Sequence, residues 1–314
     1  MEKRKLGRTN LETAPVIFGG NIFGWTVDEG KSFELLDAFT DKGFNTIDTA
    51  DVYSRWVPGN KGGESELIIG NWVKKKNNRK QVIIATKAGA DFGNGPDLSA
   101  KNIIASAEAS LKRLQTDYID LYQSHFDDGT TPVDETLEAY AQLVAAGKVL
   151  YIGTSNMTPL RITQSLDASR TRSLPRYETL QPQYNLYDRE KFEQEYQQLA
   201  KDNELGVIPY YSLASGFLTG KYRSEADLGK SQRGGGIKKY LGEKGRRILK
   251  ALDEVSEARS ATPAQVSLAW LVAQPTITAA IASATSIQQL DDFSKAAALV
   301  LTVDELEKLT KAGN

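Results

Sequence analysis

The sequence contains no cysteine and only one histidine among its 314 residues. The absence of cysteine excludes disulfides, iron–sulfur clusters, thiolate zinc sites and thiol nucleophiles. A single imidazole, that of His125, leaves too few nitrogen ligands for most transition-metal sites. We therefore expect chemistry that uses no resident metal.

Charge of one sign and long apolar runs are also missing. The 39 Lys and Arg residues nearly balance the 40 Asp and Glu residues, which gives a net charge of -1. We therefore expect neither nucleic acid nor an anionic membrane as a partner. Residues 1–6 are mostly charged, and no stretch approaches the roughly 20 apolar residues that span a bilayer. These features predict a soluble, cytoplasmic protein.

Short β-branched apolar runs alternate along the chain with amphipathic stretches of helical length, which predicts parallel strands joined by helices. The predicted strands are 16–18, 46–47, 82–85, 119–122, 149–152, Leu180 with its neighbours, 207–209 and 278–281. The predicted helices are 31–42, 64–75, 100–114, 133–146, 159–168 and 188–203. Eight strands are the number that an α/β barrel of the (β/α)8, or TIM, type requires. We predict a single domain over residues 1–314, with an N-terminal β-hairpin.

One long segment, residues 212–242, interrupts this alternation after the seventh predicted strand. It is rich in glycine and in basic residues, and it includes the run Gly234–Gly236. Strand and helix patterns continue on both sides, so the segment belongs to the barrel and is not a linker. It is either a mobile loop or a clamp for phosphate groups.

Polar residues follow the predicted strands at the end where barrel enzymes place their chemistry. Asp48 and Tyr53 follow the second strand, Lys87 the third and His125 the fourth. Later strands are followed by Ser155 and Asn156, by Gln181, by Tyr211 and Ser212, and by Ser283. Aromatic side chains that follow strands one, two, four and six are expected to line a substrate mouth suited to apolar carbonyls: Trp25, Trp56, Phe126 and Tyr187.

The first four of these polar residues fit proton transfer. A tyrosine is a weak acid at neutral pH, but a neighbouring ammonium such as that of Lys87 stabilises its phenolate. Asp48 can keep this lysine charged and fixed, and His125 can orient a carbonyl oxygen or relay the proton. None of the four is a strong nucleophile, so the reaction needs a partner that supplies the reactive group. A nicotinamide is the natural candidate.

Five motifs in order along the chain resemble those of the aldo-keto reductase superfamily, in particular its bacterial and potassium-channel beta-subunit branches. They are Gly43–Ala50 leading to Tyr53, Ile84–Lys87, Asp117–Tyr122 leading to His125, Gly147–Asn156 and Gln181–Asn185. The stretch Gly216–Tyr222 resembles the two named branches more than the mammalian aldose-reductase branch.

The resemblance implies a catalytic tetrad of Asp48, Tyr53, Lys87 and His125, in which Tyr53 delivers the proton and nicotinamide C4 delivers hydride. It also implies that Ser155, Asn156 and Gln181 bind the carboxamide, and that Tyr211 stacks on the nicotinamide ring. The pyrophosphate would then lie on the loop that contains Ser212, Leu213, Gly216 and Lys221, and the adenosine end near Ser283 and Gln289.

The sequence departs from the family after the eighth strand. Many members place Arg or Lys there to bind the 2′-phosphate, whereas 282–286 offers only hydroxyls. NADP(H) stays the favoured cofactor, because a helix N-terminus and the basic loop still suit phosphate, and NAD(H) is the alternative.

The expected function is reversible reduction of a small aldehyde or ketone to the alcohol. A nicotinamide-binding regulatory subunit with slow turnover is the second hypothesis, and a lyase or isomerase barrel without nicotinamide is the third. The oligomeric state, monomer or homo-oligomer, stays open.

Overall fold

Eight parallel strands form one sheet that curls into a barrel, which confirms the predicted fold class. The structure is a computed structural model that describes all residues, 1–314. The barrel strands are β3 to β10, and β1 and β2 form a separate N-terminal sheet. The bounds of the ten strands are β1 (Arg4–Lys5), β2 (Glu12–Thr13), β3 (Val16–Gly19), β4 (Thr46–Asp48), β5 (Ile83–Ala88), β6 (Ile119–Ser124), β7 (Val149–Ser155), β8 (Tyr177–Gln181), β9 (Gly206–Val207) and β10 (Ala280–Ala282). The sheet order is β10-β3-β4-β5-β6-β7-β8-β9. Backbone hydrogen bonds from Thr278 to Val207 and from Ile281 to Pro209 close the barrel.

Helices cover the outside of the barrel. They are α1 (Glu29–Asp41), α2 (Glu64–Lys76), α3 (Ala100–Leu114), α4 (Val133–Ala145), α5 (Pro159–Arg172), α6 (Gln197–Asp202), α7 (Glu243–Arg259), α8 (Pro263–Val272), α9 (Ile287–Ala298) and α10 (Val303–Ala312). The helix predicted over 188–203 is confirmed over residues 190–202, where it contains a π-helical turn, Phe192–Tyr196, just before α6. None of the helices is both long enough and apolar enough to cross a membrane.

The interior of the barrel changes from apolar to polar along its axis. Because side chains alternate along a strand, every second residue points inward. One buried apolar cluster, which we call the apolar plug, fills the interior toward the end where the strands begin. Its members are Leu6, Ile17, Ala85, Leu121, Ile208, Ala279 and Ile281. Two residues further along their strands, the inward positions of β5 and β6 are taken by Lys87 and Gln123, which are paired in the sheet register. The polar residues thus lie above the apolar plug.

The N-terminal hairpin closes the apolar end. Strands β1 and β2 pair antiparallel, as predicted, with Arg4 opposite Thr13. Gly7 follows β1 with a left-handed backbone, φ +59°, and a side chain there would meet the carbonyl oxygen of Glu178 at 2.2 Å. Glu178 lies near the start of β8, so the hairpin packs where the strands begin.

The segment 212–242 is built from short 3-10 turns that are packed onto the barrel. These turns are Ala214–Thr219, Glu225–Lys230, Gly234–Gly236 and Lys238–Tyr240. Apolar and aromatic side chains of the segment, such as Phe217 and Tyr222, are fully buried. A Cβ at Gly234 would lie 1.6 Å from the carbonyl oxygen of Leu228, so glycine permits this close backbone approach.

Candidate active site

The strand ends bring together the residues that the sequence singled out. Asp48 ends β4 and Lys87 lies next to the end of β5, and both are buried. His125 directly follows β6, and Tyr53 lies in the turn after β4. Parallel strands end at one edge of the barrel, so these four side chains come from neighbouring positions on its rim.

The ammonium of Lys87 is the centre of the hydrogen bonding. Its Nζ donates to Asp48 Oδ2 at 2.7 Å, to the Thr49 carbonyl oxygen at 2.8 Å and to the Tyr53 hydroxyl at 2.9 Å. These three bonds use all three ammonium protons. The Tyr53 hydroxyl also donates to Asp48 Oδ2 at 3.4 Å. Lysine, aspartate and tyrosine therefore form one compact network.

Burial decides the protonation of this network. It raises the pKa of Tyr53 well above its usual value, and the Asp48 carboxylate adds to that shift. Burial also lowers the pKa of Lys87, although Asp48 opposes the change. We expected the ammonium to lower the pKa of Tyr53 by stabilising its phenolate. In the resting structure the loss of solvation has the larger effect, and the pKa is raised. In its resting form Tyr53 therefore keeps the proton that an acid must donate.

His125 faces Tyr53 with a free ring nitrogen. The two rings lie 5.9 Å apart, and the imidazole stacks on Phe126 at 4.7 Å. Burial and the Lys87 charge hold the pKa of His125 well below its usual value, so the imidazole is neutral. Its Nδ1 is buried and has no hydrogen-bond partner. A neutral imidazole has one donor and one acceptor nitrogen available for a polar ligand.

Two glutamines hold the other oxygen of Asp48. Gln181 Nε2 donates to Asp48 Oδ1 at 2.8 Å and Gln123 Nε2 at 3.4 Å. Gln181, which the resemblance assigns to the carboxamide, thus also fixes the aspartate. Gln123 was visible in the sequence as a polar residue after the fourth strand, but nothing there connected it with Asp48. Gln123 pairs with Lys87 in the sheet, and both side chains point into the barrel, which brings Gln123 close to Asp48.

The residues expected at the nicotinamide lie beside this network. Ser155 Oγ donates to the Gln181 carbonyl oxygen at 2.8 Å. Asn156 Nδ2 donates to the His125 carbonyl oxygen at 3.0 Å, and its Oδ1 accepts from the Tyr210 hydroxyl at 2.8 Å. Tyr211 has a left-handed backbone, φ +54°, and its side chain is 46% exposed. The exposed ring offers a flat apolar surface next to polar groups.

The loop after β9 has a left-handed glycine, Gly216, and two of its basic residues, Lys221 and Arg233, bear on a cofactor site. Gly216 has φ +97°, and a Cβ there would lie 3.4 Å from Lys221 Nζ. Within the same loop, Ser212 Oγ donates to the Pro209 carbonyl oxygen at 3.2 Å, and Leu213 precedes the first 3-10 turn. A side chain at Gly216 would fill the space beside the lysine.

The second cation is Arg233, to which the sequence assigned no individual role. Its guanidinium lies 5.3 Å from the centre of the Trp25 ring. Its Nη2 is buried without a hydrogen-bond partner. Burial lowers the pKa of Arg233, and Tyr211 and Tyr53 are the leading groups that oppose this shift. An unpartnered buried cation next to the tetrad fits an anionic ligand.

The expected adenosine end is polar and uncharged. Ser283 Oγ donates to Asn21 Oδ1 at 2.8 Å. Gln289 Oε1 accepts from the Thr285 amide at 2.8 Å, in the first turn of α9. Hydroxyl and amide groups surround this position, as the sequence indicated.

Three of the four aromatic residues expected at the substrate mouth cluster around the tetrad. Trp25 and Trp56 pack edge to face at 5.5 Å, and Trp56 lies 6.1 Å from Tyr53. Phe126 stacks on the imidazole. Tyr187 lies elsewhere: its ring packs on Tyr240 at 4.8 Å, and its hydroxyl donates to the Lys239 carbonyl oxygen at 3.2 Å. Through these two contacts it anchors the long segment 212–242.

Comparison with known proteins agrees with this geometry. The family model described as "Aldo/keto reductase family" matches residues 15–314. An uncharacterized oxidoreductase, YrpG of Bacillus subtilis, is 36% identical over 98% of this chain and 95% of its own. Aldo-keto reductase YhdN of the same organism is 34% identical over 94% of this chain and 88% of its own. A probable voltage-gated potassium channel subunit beta of Arabidopsis thaliana is 29% identical over 99% of this chain and 97% of its own.

The chain belongs to the aldo/keto reductase family. The family and its oxidoreductase-named relatives support oxidoreductase activity, and family members generally bind nicotinamide cofactors and act on small molecules. The exposed Tyr211 ring, the left-handed Gly216 and the unpartnered Arg233 nitrogen fit such a cofactor.

Proposed function

We propose that this protein reduces an aldehyde or ketone to the alcohol, reversibly, with Tyr53 as the general acid. The observation that supports this most is the position of Lys87 Nζ, which donates hydrogen bonds to Asp48 Oδ2, to the Thr49 carbonyl oxygen and to the Tyr53 hydroxyl, each within 2.9 Å. The tyrosine is protonated at rest, and the ammonium beside it is ready to stabilise the phenolate that proton donation leaves behind.

The tetrad positions the carbonyl oxygen as well as protonating it. The rings of Tyr53 and neutral His125 lie 5.9 Å apart, so the hydroxyl and an imidazole N–H could both donate hydrogen bonds to one carbonyl oxygen. A nicotinamide held beside these residues would supply the hydride for the carbonyl carbon. As negative charge develops on the oxygen, Tyr53 transfers its proton to it, and the product is the alcohol. Solvent then reprotonates Tyr53, and the reverse reaction uses the same groups.

Asp48 acts by holding the lysine. Its Oδ2 accepts from Lys87, while Gln181 and Gln123 hold its Oδ1. A carboxylate fixed at both oxygens keeps the ammonium in one position, so the lysine charge stays beside the tyrosine throughout the reaction.

NADP(H) is the favoured cofactor in this proposal and NAD(H) the alternative. The residues that would hold the nicotinamide are Ser155, Asn156, Gln181 and Tyr211, and those that would hold the phosphates are in the loop of Ser212, Leu213, Gly216, Lys221 and Arg233. The loop cations would serve the pyrophosphate that both cofactors share, and the N-terminus of α9 suits the additional phosphate of NADP(H). Ser283 and Gln289 add no positive charge at the adenosine end, which keeps NAD(H) in consideration.

The substrate is an apolar or aromatic carbonyl compound. Trp25, Trp56 and Phe126 surround the tetrad, and Trp56 is 49% exposed. Aromatic side chains favour flat, apolar ligands.

Oxidation of NADPH and of NADH, followed by absorbance with a reactive aromatic aldehyde, tests this proposal. We expect turnover with the wild type, faster with NADPH, and its collapse in Tyr53→Phe while cofactor affinity is largely kept. The matched control is Tyr184→Phe, which removes a hydroxyl bonded to Glu193 away from the tetrad. A fully active Tyr53→Phe variant would contradict the assigned acid.

A nicotinamide-binding regulatory subunit is the second candidate, because relatives named as potassium channel beta subunits match nearly the whole chain. The complete tetrad favours the enzyme. Negligible turnover on every carbonyl offered, together with a stoichiometric partner in pull-downs, would favour the subunit.

A further inference from the structure

A second buried carboxyl group lies behind the tetrad. Asp51 follows Asp48 by three residues, and its backbone amide donates to the Lys87 carbonyl oxygen at 3.1 Å. Asp51 is only 5% exposed, and its Oδ1 is buried with no hydrogen-bond partner. The mechanism proposed above makes no use of this group.

The side chains near Asp51 that could donate a hydrogen bond, Thr86 and Arg113, already donate to the carboxylate of Glu66. Glu66 of α2 is fully buried and accepts from Thr86 Oγ1 at 2.6 Å and from Arg113 Nε at 2.7 Å. Thr86 and Lys87 are consecutive on β5, so their side chains lie on opposite faces of the barrel wall. The charges of Glu66 and Arg113 both act on Asp51, so two buried carboxyl groups share one guanidinium here.

That imbalance favours one retained proton, and it belongs on Asp51, because two side chains donate to Glu66 whereas Asp51 Oδ1 has no partner. Burial raises the pKa of Asp51 to about 8, and the charge on Glu66 adds to the shift. Arg113, the Val52 amide and Lys87 oppose it.

The remaining titratable groups around Asp51 are tyrosines. Tyr122 of β6 and Tyr140 of α4 both have pKa values raised well above the usual value, mainly by burial, and the Asp51 charge contributes to both shifts. Both phenols stay neutral across the range in which Asp51 loses its proton.

We propose that Asp51 is a positioning residue whose exchangeable proton sets the charge behind Lys87 and so gives carbonyl reduction an alkaline limit. The inference rests on the proposed function, since it concerns the acid strength of Tyr53. When Asp51 is neutral, Asp48 is the main carboxylate that offsets the Lys87 ammonium. When Asp51 ionises, its charge also acts on this ammonium and raises the pKa of Lys87.

The direction of the effect follows from charge. A second anion behind Lys87 weakens the attraction between the ammonium and the Tyr53 phenolate. Tyr53 then becomes a weaker acid, and reduction slows as pH rises through the titration of Asp51. The rate of alcohol oxidation depends on the phenolate form of Tyr53, so its dependence on pH differs from that of the reduction rate.

The kinetic test compares the pH profile of kcat for carbonyl reduction, from about pH 6 to about pH 10, in the wild type, Asp51→Asn and Glu66→Gln. Each profile is scaled to its own maximum, so a general loss of activity does not matter. We expect the wild-type rate to fall about fivefold around the Asp51 titration. Asp51→Asn should lose this step, and Glu66→Gln should move it to lower pH by about one unit.

The control is Glu108→Gln. Glu108 is an exposed residue of α3 whose carboxylate pairs with Lys148, and the variant should keep the wild-type profile. A step that stays unchanged in both Asp51→Asn and Glu66→Gln would overturn the inference.

Infrared titration of the purified protein provides a readout without turnover. We expect the carbonyl stretch of a protonated carboxylic acid at neutral pH, its loss as pH rises past about 8, and its absence in Asp51→Asn. No such band in the wild type would overturn the inference even in an active enzyme. The band without carbonyl turnover would keep the buried proton on Asp51 and contradict the proposed function instead.

Discussion

The two ends of the barrel differ in what fills them. At the end where the strands begin, Leu6, Leu121 and their neighbours form a buried apolar plug beneath the N-terminal hairpin. At the opposite end, buried Asp48 and Lys87 form an ion pair at 2.7 Å. The first arrangement stabilises the fold by burial of apolar surface, whereas the second places costly charges where a substrate can meet them. Substitutions in the apolar plug should therefore lower stability without lowering activity, whereas substitutions at the polar end should lower activity.

The largest expected effect is on the rate at the polar end. Tyr53→Phe removes the proton donor while the ring stays in place, so kcat for reduction should fall by about 10²–10⁴-fold. Steady-state kinetics measure the rate, and fluorescence titration measures cofactor affinity, which should change little. A drop of similar size in Tyr184→Phe would show that the loss is not specific to the acid.

Lys87→Met should impair both activity and stability. The substitution leaves the buried Asp48 carboxylate without its cation, which costs about 3–5 kcal/mol when one partner of a buried pair is removed. Urea unfolding measures the loss. Asp48→Asn combined with Lys87→Met removes both charges and should recover part of the stability but none of the activity. Wild-type stability in the single variant would contradict a network held by this pair.

Leu121→Ala at the apolar end should affect stability alone. Leu121 is fully buried in the plug, and truncation of such a side chain costs about 2–5 kcal/mol. Thermal unfolding measures the change. The kcat of the folded fraction should stay near the wild-type value, and a rate loss as large as that of Tyr53→Phe would break the division between the two ends.

The smallest expected effect is the pH dependence of stability from His125. Its pKa in the folded state is held well below the usual value, mainly by burial. Below about pH 6.5 the unfolded chain therefore binds a proton that the folded chain does not, so the contribution of His125 to stability falls as pH falls. Asp51, whose pKa is raised, acts in the opposite direction, so the test compares the wild type with His125→Gln, in which the Asp51 contribution is shared. Relative to His125→Gln, the wild type should lose about 0.7 kcal/mol between pH 7 and about pH 6, measured by urea unfolding of both proteins.

The sequence predicted the fold and the four tetrad positions because both follow from local signals. Apolar runs mark strands, and polar residues after them must meet at the barrel rim. Contacts between distant segments were not accessible in this way. Tyr187 follows a strand as the other aromatic residues do, but it packs on Tyr240, which is more than fifty residues later.

Residues whose importance depends on contacts between distant segments were missed for the same reason. Gln123 matters through its bond to Asp48 across the barrel, and Arg233 through its approach to Trp25 from the long segment. Asp51 is unusual because its Oδ1 has no partner, which only the folded surroundings reveal.

Direct hydride transfer with protonation by Tyr53 is the central claim. The most direct measurement supplies nicotinamide cofactor labelled with deuterium at the transferable C4 position, together with an aromatic aldehyde, and follows the label by NMR. The account predicts that deuterium appears on the carbinol carbon of the alcohol, while the hydroxyl proton comes from exchangeable positions. Alcohol product without deuterium on that carbon would contradict it.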